Sequence, residues 1–382
     1  MPTYVDINPK LLRWVVDRSG LPLDEYQPTV AAWLAGEKKP TYNQLESFAR
    51  RAMVPFGYLF SEQPPDEALP VPDYRTRTDV GVRQPTPNLI ETIFEMQRRQ
   101  DWMREYLLDE GHEELPFVGS AQIGDKVIPL TERMRATLGL TNDWAEHSAN
   151  WEEALRLLRE RIENAGILIF VNGVVGNSTR RKLDPEEFQG FVLIDGVAPL
   201  IFVNGADYKV AQMFTIAHEL AHVWVGQSAL FELTATTPSN HKVEKYCNAV
   251  AAEFLVPADK LKAAWEQTSG GDAAFTSLAK RFKVSPIVVA RRAKDRKLIS
   301  SDDFFSFYNR YMQRERRQQE DRRSGGDFWR TQNVRLGRRF GAAVLSAAEE
   351  GRISYTDAYD LTRLYGETFD KYARHLRHKD RG

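Results

Sequence analysis

The 382-residue chain has little cysteine, little histidine, no long apolar run and almost no net charge. A single cysteine, Cys247, has no partner within the chain for a disulfide. A disulfide framework is therefore excluded, and a reducing compartment, the cytoplasm, is expected. No stretch reaches the roughly 18 apolar residues a membrane span needs. Even the most apolar region, 201–225, is interrupted by Asp207, Lys209 and His218. The first ten residues carry Asp6 and no apolar run, so no signal peptide is expected. Basic and acidic residues number 52 and 53, a net charge of -1, which excludes a uniformly basic nucleic-acid coat but not a local basic patch. A composition 42% hydrophobic and 27% charged is that of a globular chain and excludes wholesale disorder. A length well beyond about 150 residues predicts more than one domain. With only seven histidines present, two placed close together are informative.

The pattern along the chain divides it. Residues 1–65 read as short helices: Leu11, Leu12, Val15 and Val16 recur at helical spacing, Thr29–Leu34 follows, and Pro40-Thr41 opens a third. Residues 66–115 combine a proline-rich linker (Pro70, Pro72) with a long amphipathic helix over about 88–110. Residues 116–260 are mixed. A helix is expected over Trp151–Asn164, and strands over Ile167–Asn172, Gly190–Ile194 and Leu200–Val203. An apolar helix then runs over about 206–225 and another over Lys242–Leu255, stopped by Pro257. From 261 to 382 every signal is helical, with segments at 275–281, 286–296, 302–319, 336–350 and 355–375. No internal repeat of 20–50 residues is present.

The scarce histidines cluster in His218-Glu219-Leu220-Ala221-His222, inside the apolar helix. Positions four apart share one face of a helix, so two neutral imidazoles there can bind one Zn²⁺ ion. Glu219, between them, is suited to hold a water at the metal's open position and take its proton. A chance occurrence of this pattern in such a chain is on the order of 1%. The ordinary alternative is a pair of core histidines beside a solvated glutamate. A catalytic zinc normally has three protein ligands. Glu244, on the next helix, is the leading candidate, and Asn248, four residues on, shares its face and can hydrogen-bond a ligand imidazole. His241 competes for the third place. Glu253, nine residues from Glu244, falls on the opposite face.

Together these residues resemble the ImmA/IrrE family of metallopeptidases. The resemblance rests on His218–His222 and on the helix Glu244-Lys245-Tyr246-Cys247-Asn248-Ala249-Val250-Ala251-Ala252-Glu253-Phe254-Leu255-Val256-Pro257, and it covers roughly 150–260. Tyr246 stands where an acid is common in that family. The resemblance implies Glu244 as third ligand. It also implies an α+β, mainly helical, multi-domain chain built around a small gluzincin-like domain, with a short twisted sheet, the active helix beneath it and the glutamate helix behind. The implied activity is zinc-dependent endopeptidase cleavage of a specific partner protein, a repressor or antitoxin-like regulator. A peptide substrate is expected to add as a strand at the sheet edge, supplied by Leu200–Val203 or Gly190–Ile194. His147, Tyr208 and His241 are the candidates for stabilising the oxyanion.

Residues 8–60 resemble an Xre-type helix-turn-helix, although the space between Leu23 and Trp33 holds one helix rather than two. Residues 1–60 carry a net charge of only about +1, which argues against phosphate-dominated DNA binding. A second helix-turn-helix layout spans Ser277–Arg292, with Pro286 at a first helical position. Arg291, Arg292, Lys294, Arg296 and Lys297 follow, within a 291–340 stretch of net charge about +8. They make a candidate basic docking or nucleic-acid surface, or an ordinary solvated charge run. The competing functional reading is a DNA-binding regulator or toxin–antitoxin component whose zinc domain senses or scaffolds without cutting.

Overall fold

The structure is a computed structural model that describes residues 4–19, 29–65, 85–207, 209–231, 242–319 and 333–379. It divides into two compact units, 1–95 and 96–382. The first holds α1 (Pro9–Ser19), α2 (Thr29–Leu34), α3 (Tyr42–Arg51) and a 3-10 turn (Phe56–Phe60). Leu12, Val15, Val30, Trp33, Leu45, Phe48 and Leu59 form its core. Thr41 begins α3 with a reciprocal capping box: its hydroxyl accepts the Gln44 N–H while the Gln44 side chain accepts the Thr41 N–H. The expected linker around Pro70 and Pro72 lies outside the described residues.

A long helix, α4 (Pro87–Asp109), crosses the division between the units. Beyond it come α5 (Val127–Thr137), α6 (Trp151–Asn164), β1 (Leu168–Asn172), β2 (Gly190–Leu193), β3 (Leu200–Asn204), α7 (Lys209–Val225), β4 (Ala229–Phe231) and α8 (Lys242–Leu255). They are followed by α9 (Ala258–Trp265), α10 (Gly271–Phe282), α11 (Pro286–Asp295), α12 (Ser301–Gln319), α13 (Arg338–Glu349), α14 (Tyr355–Thr362) and α15 (Glu367–Lys379). The fold is α+β and mainly helical, as expected.

The strand order is β1-β3-β2-β4, with β1 parallel to β3 and β2 antiparallel to both its neighbours. This corrects one expectation. Leu200–Val203 and Gly190–Ile194 were to supply an edge, but β3 lies between β1 and β2, and β2 lies between β3 and β4. Their ladder groups are already paired on both sides. The edges are β1 and β4, and β4 escapes sequence reading because it is only three residues long.

Alternation along the strands gives the sheet two apolar faces. Ile169, Val171, Val192, Ile201 and Val203 join one core with α7. Phe170, Phe191 and Phe202 are in register on the other face, with the Phe191 and Phe202 rings stacked at 4.9 Å. Phe340 of α13 meets the Phe170 ring edge-on at 5.5 Å, and the buried Gln100 of α4 donates to the Leu193 and Ala198 carbonyls. A sheet covered on both faces explains why all three longer strands read as continuous apolar runs.

The core around α7 gathers buried residues from Ala121 to Phe307. Residues of α9 to α12 share the core of the histidine helix. Helices α5 and α9 were not anticipated. In α5, Ile128-Pro129 reads as a break, although proline is tolerated within a first helical turn. The expected helix over 355–375 is two helices, parted where Arg363 and Gly366 take left-handed backbone (φ 56° and 51°).

The C-terminal end of α8 is fixed by two buried arginines. Arg135 donates to the carbonyls of Glu253 and Phe254, and Arg292 donates to the Val256 carbonyl while pairing with the Glu253 carboxylate. Glu253 also accepts the Ala258 N–H at 3.1 Å. Removing one member of a buried ion pair strands the other's charge, at a cost of about 3–5 kcal/mol. Arg292→Met alone is expected to lower unfolding free energy by about that amount in urea melts. Arg292→Met with Glu253→Leu should recover most of it, whereas an additive double-mutant cycle would contradict the coupling.

Candidate metal and catalytic site

The apolar sequence of α7 dictates its place. Met213, Ile216, Ala217, Leu220, Ala221, Val223 and Trp224 are all buried, on every side of the helix. At its C-terminal end Gly226 turns the chain with a φ of +75° and lies against Gly119, where an added methyl would sit 2.8 Å from the Gly119 Cα. The Gly119 and Ala121 N–H groups take up the Val223 and Trp224 carbonyls, and Phe117 stacks on Trp224 at 4.6 Å. The helix is thus closed and buried although it carries His218, Glu219 and His222, each 0% exposed.

The structure brings His218, His222 and Glu244 together. Glu244 opens α8, which packs along α7, and presents one carboxylate oxygen to each imidazole. The distances are 3.1 Å to His218 Nε2 and 3.2 Å to His222 Nε2. The two Nε2 atoms are 3.1 Å apart. Ligand atoms at zinc-like bond lengths from a tetrahedral ion lie about 3.3 Å apart, and the nitrogen–nitrogen separation and the approach of one carboxylate oxygen to each imidazole are of that size. Among the described residues this is the group of acids, histidines and cysteine that could hold a metal ion. Asn248 Oδ1 lies 3.1 Å from His218 Nδ1. With the proton on Nδ1 donated to Asn248, Nε2 is left with its lone pair toward the site. Tyr208 and His241, expected as possible oxyanion groups and the latter also as a rival ligand, lie outside the described residues. His147 is exposed and sits 3.5 Å from Asp143.

Burial controls the electrostatics. It pushes His218 down to about 4, so the imidazole is neutral near pH 7, the form that ligates metal. Burial also raises the Glu244 carboxyl, but the hydrogen bonds with His218 and His222 outweigh it and hold the group below the ordinary carboxylate range. Glu219 is driven well above its usual value, first by burial and then by the Glu244 charge. Neither Glu219 oxygen has a hydrogen-bond partner among the described residues. A buried, unpartnered carboxylate is costly unless something polar joins it; the water of a metal's open coordination position would be such a group. The donor set and this orphaned carboxylate both fit a catalytic metal. Cys247, on α8, is buried and its thiol is pushed up, so it remains a neutral filler rather than a ligand.

Sequence reasoning missed what stands behind Glu219. Gly190, at the start of β2, faces α7, and its lack of a side chain admits Thr215 and Glu219, which are one helical turn apart. A glycine in a short strand is the available signal, since it marks close approach of another element. The basic residues of α11 are not brought to the histidine site by any observed contact. Arg292 is buried against Glu253, which removes it from the expected docking surface. Arg291 pairs with Asp295 at 3.4 Å, and Lys294 lies over the Phe304 and Phe305 rings. Arg296 and Lys297 are exposed.

A buried helix with the His218–His222 motif, a glutamate from the following helix and a small mixed sheet above them define a metallopeptidase domain. Comparison with known families specifies it: residues 162–294 match the Peptidase M78 family, described as an IrrE N-terminal-like domain. The match supports the resemblance to the ImmA/IrrE family over these residues. Residues 336–375 match a domain of unknown function, DUF8813. No curated protein matches the chain.

Removing Asn248's oxygen should loosen the metal without abolishing it. Asn248→Ala is expected to weaken zinc affinity about 10–100-fold in chelator competition, and Glu244→Ala to weaken it further. Equal zinc affinity in wild type and Glu244→Ala would rule Glu244 out as a ligand.

Proposed function

We propose that the protein is a zinc-dependent endopeptidase that cuts a specific partner protein, a repressor or antitoxin-like regulator. The observation that carries the peptidase reading is the orphaned, fully buried Glu219 beside the His218, His222 and Glu244 triangle. A purely structural metal site closes itself with a fourth protein ligand and has no use for an unpartnered carboxylate. The choice of a repressor or antitoxin as substrate rests on the family resemblance, because the fold alone does not select a substrate.

His218, His222 and Glu244 would hold the zinc. When bound, it would polarise the scissile carbonyl and acidify the attacking water. Glu219 supplies the base: its raised proton affinity suits it to accept a proton from the water and return it to the leaving amine. The β4 edge is the proposed docking line for an extended substrate, since among the described residues it is paired only through β2. It is also the strand paired with Gly190, behind which Glu219 sits.

The DNA-regulator reading is less well supported. Of its five basic residues, Arg292 is buried and both Arg291 and Lys294 already engage neighbours within the chain. Arg296 and Lys297 are the exposed remainder of these five.

Zinc-loaded wild type incubated with the repressor encoded beside its gene is expected to release two fragments. Glu219→Gln should lower cleavage by at least about 100-fold with zinc content unchanged. Chelation should stop cleavage and zinc should restore it. Equal cleavage by Glu219→Gln would overturn the proposed role. An intact repressor with active wild-type enzyme would overturn the substrate class.

A further inference from the structure

Glu219 raises a problem that the metal ligands do not. Each ligand is held by a polar contact: Glu244 by both imidazoles, His218 by Asn248 and Glu244, and His222 by Glu244. Neither oxygen of Glu219 is held by a hydrogen bond among the described residues. A glutamate side chain has three rotatable bonds, so something else must define where its carboxylate lies.

The feature that does so is a missing side chain. Gly190 is paired with Val203 on β3 and with Phe231 on β4, so its backbone is fixed from both sides. Strand alternation puts it on the α7 side of the sheet, with Val192. A methyl group at Gly190 would lie 2.7 Å from Thr215 Cγ2, 2.9 Å from the Phe202 carbonyl oxygen and 3.2 Å from Glu219 Oε1. Carbon atoms pack at about 3.5–4.0 Å, so the first approach is prohibitive and the last displaces the carboxylate. Gly190 needs no special backbone conformation, since its φ is not in the left-handed region. Close approach is the reason for it.

We infer that Gly190 is the positioning residue for Glu219: the bare backbone of β2 is the surface against which the carboxylate rests, and it sets how far Glu219 reaches toward the site. The inference rests on the peptidase reading for the use made of that position, but not for the contact. Thr215 provides a means of separating the two effects of a methyl at 190. Its Cγ2 makes the tightest contact, while its hydroxyl bonds the Ala211 carbonyl within α7. Thr215→Ser removes the methyl and keeps the hydroxyl. In the double variant the Thr215 contact is relieved, while the new methyl still meets the Phe202 carbonyl and still crowds Glu219.

The test compares wild type, Gly190→Ala and Gly190→Ala/Thr215→Ser. It measures thermal stability without metal, zinc stoichiometry, kcat and KM on a cleaved substrate, and affinity for acetohydroxamate at full zinc loading. Acetohydroxamate chelates an open metal position and gives its hydroxyl proton to a neighbouring carboxylate, so it reports the position of Glu219 without turnover. The expected result has three parts. Gly190→Ala lowers the melting temperature and Thr215→Ser restores part of the loss. All three proteins bind one zinc. Both variants lose about 10-fold or more in acetohydroxamate affinity and in kcat, with little change in KM. Recovery of acetohydroxamate affinity together with stability in the double variant overturns the inference, as does unchanged affinity in Gly190→Ala or loss of zinc from the double variant. Should Gly190→Ala alone fail to fold, the double variant decides. Should wild type cleave nothing, the peptidase reading falls, and the acetohydroxamate comparison still decides the role of Gly190.

Discussion

Everything in the larger unit follows from one constraint. Three ionisable side chains, His218, Glu219 and His222, ride on a helix that is buried on all sides. Burying charge in an apolar interior is prohibitive unless the charge is neutralised, paired or bound to metal. The chain meets this in three ways. His218 is kept neutral by its surroundings, the Glu244 carboxylate is shared between two imidazoles, and Glu219 is pushed toward its protonated form. The same features that make these groups tolerable in a core make them chemically useful, because neutral imidazoles ligate metal and a high-affinity carboxylate accepts a proton.

The surroundings serve the placement of that helix. The sheet presents an aliphatic face to α7 and a phenylalanine face to α4 and α13, so α7 has a rigid surface to lie against. The α8 helix has its C-terminal end fixed by Arg135 and Arg292, which holds Glu244 at the other end of a stiff rod. Residues 336–375, a domain of unknown function by sequence, begin at this second layer: the Gly337 backbone lies against the Ile169 carbonyl, and the Arg339 N–H donates to the half-buried Glu163 carboxylate. This C-terminal segment is thus part of the sheet's support.

How legible the site was in the sequence depended on the kind of signal. The His218–His222 spacing is a local helical pattern and needs no tertiary information. The Lys242–Leu255 helix and its facing pair Glu244 and Asn248 follow from the same period. Strand positions were readable because β-branched and aromatic runs were bounded by turns, but strand order was not. Order depends on which edges the crossovers leave open, and β4 is too short to announce itself. Arg292 appeared to belong to a basic surface because a charge run looks alike whether or not one member turns inward. Only the buried Glu253, 39 residues away, reveals its role. Gly190 carried only the general signal of a glycine in a short strand, because its partner, Glu219, reaches it only when the helix is laid on the sheet.

The central claim is that two imidazoles and one carboxylate, with no thiolate, hold a single zinc at an open position. X-ray absorption at the zinc edge on the zinc-loaded protein tests it most directly. The account predicts one zinc per chain, a first shell of nitrogen and oxygen at about 2.0–2.2 Å, and multiple scattering from two imidazoles. A sulfur scatterer at about 2.3 Å, or three or more imidazoles in the shell, would contradict it.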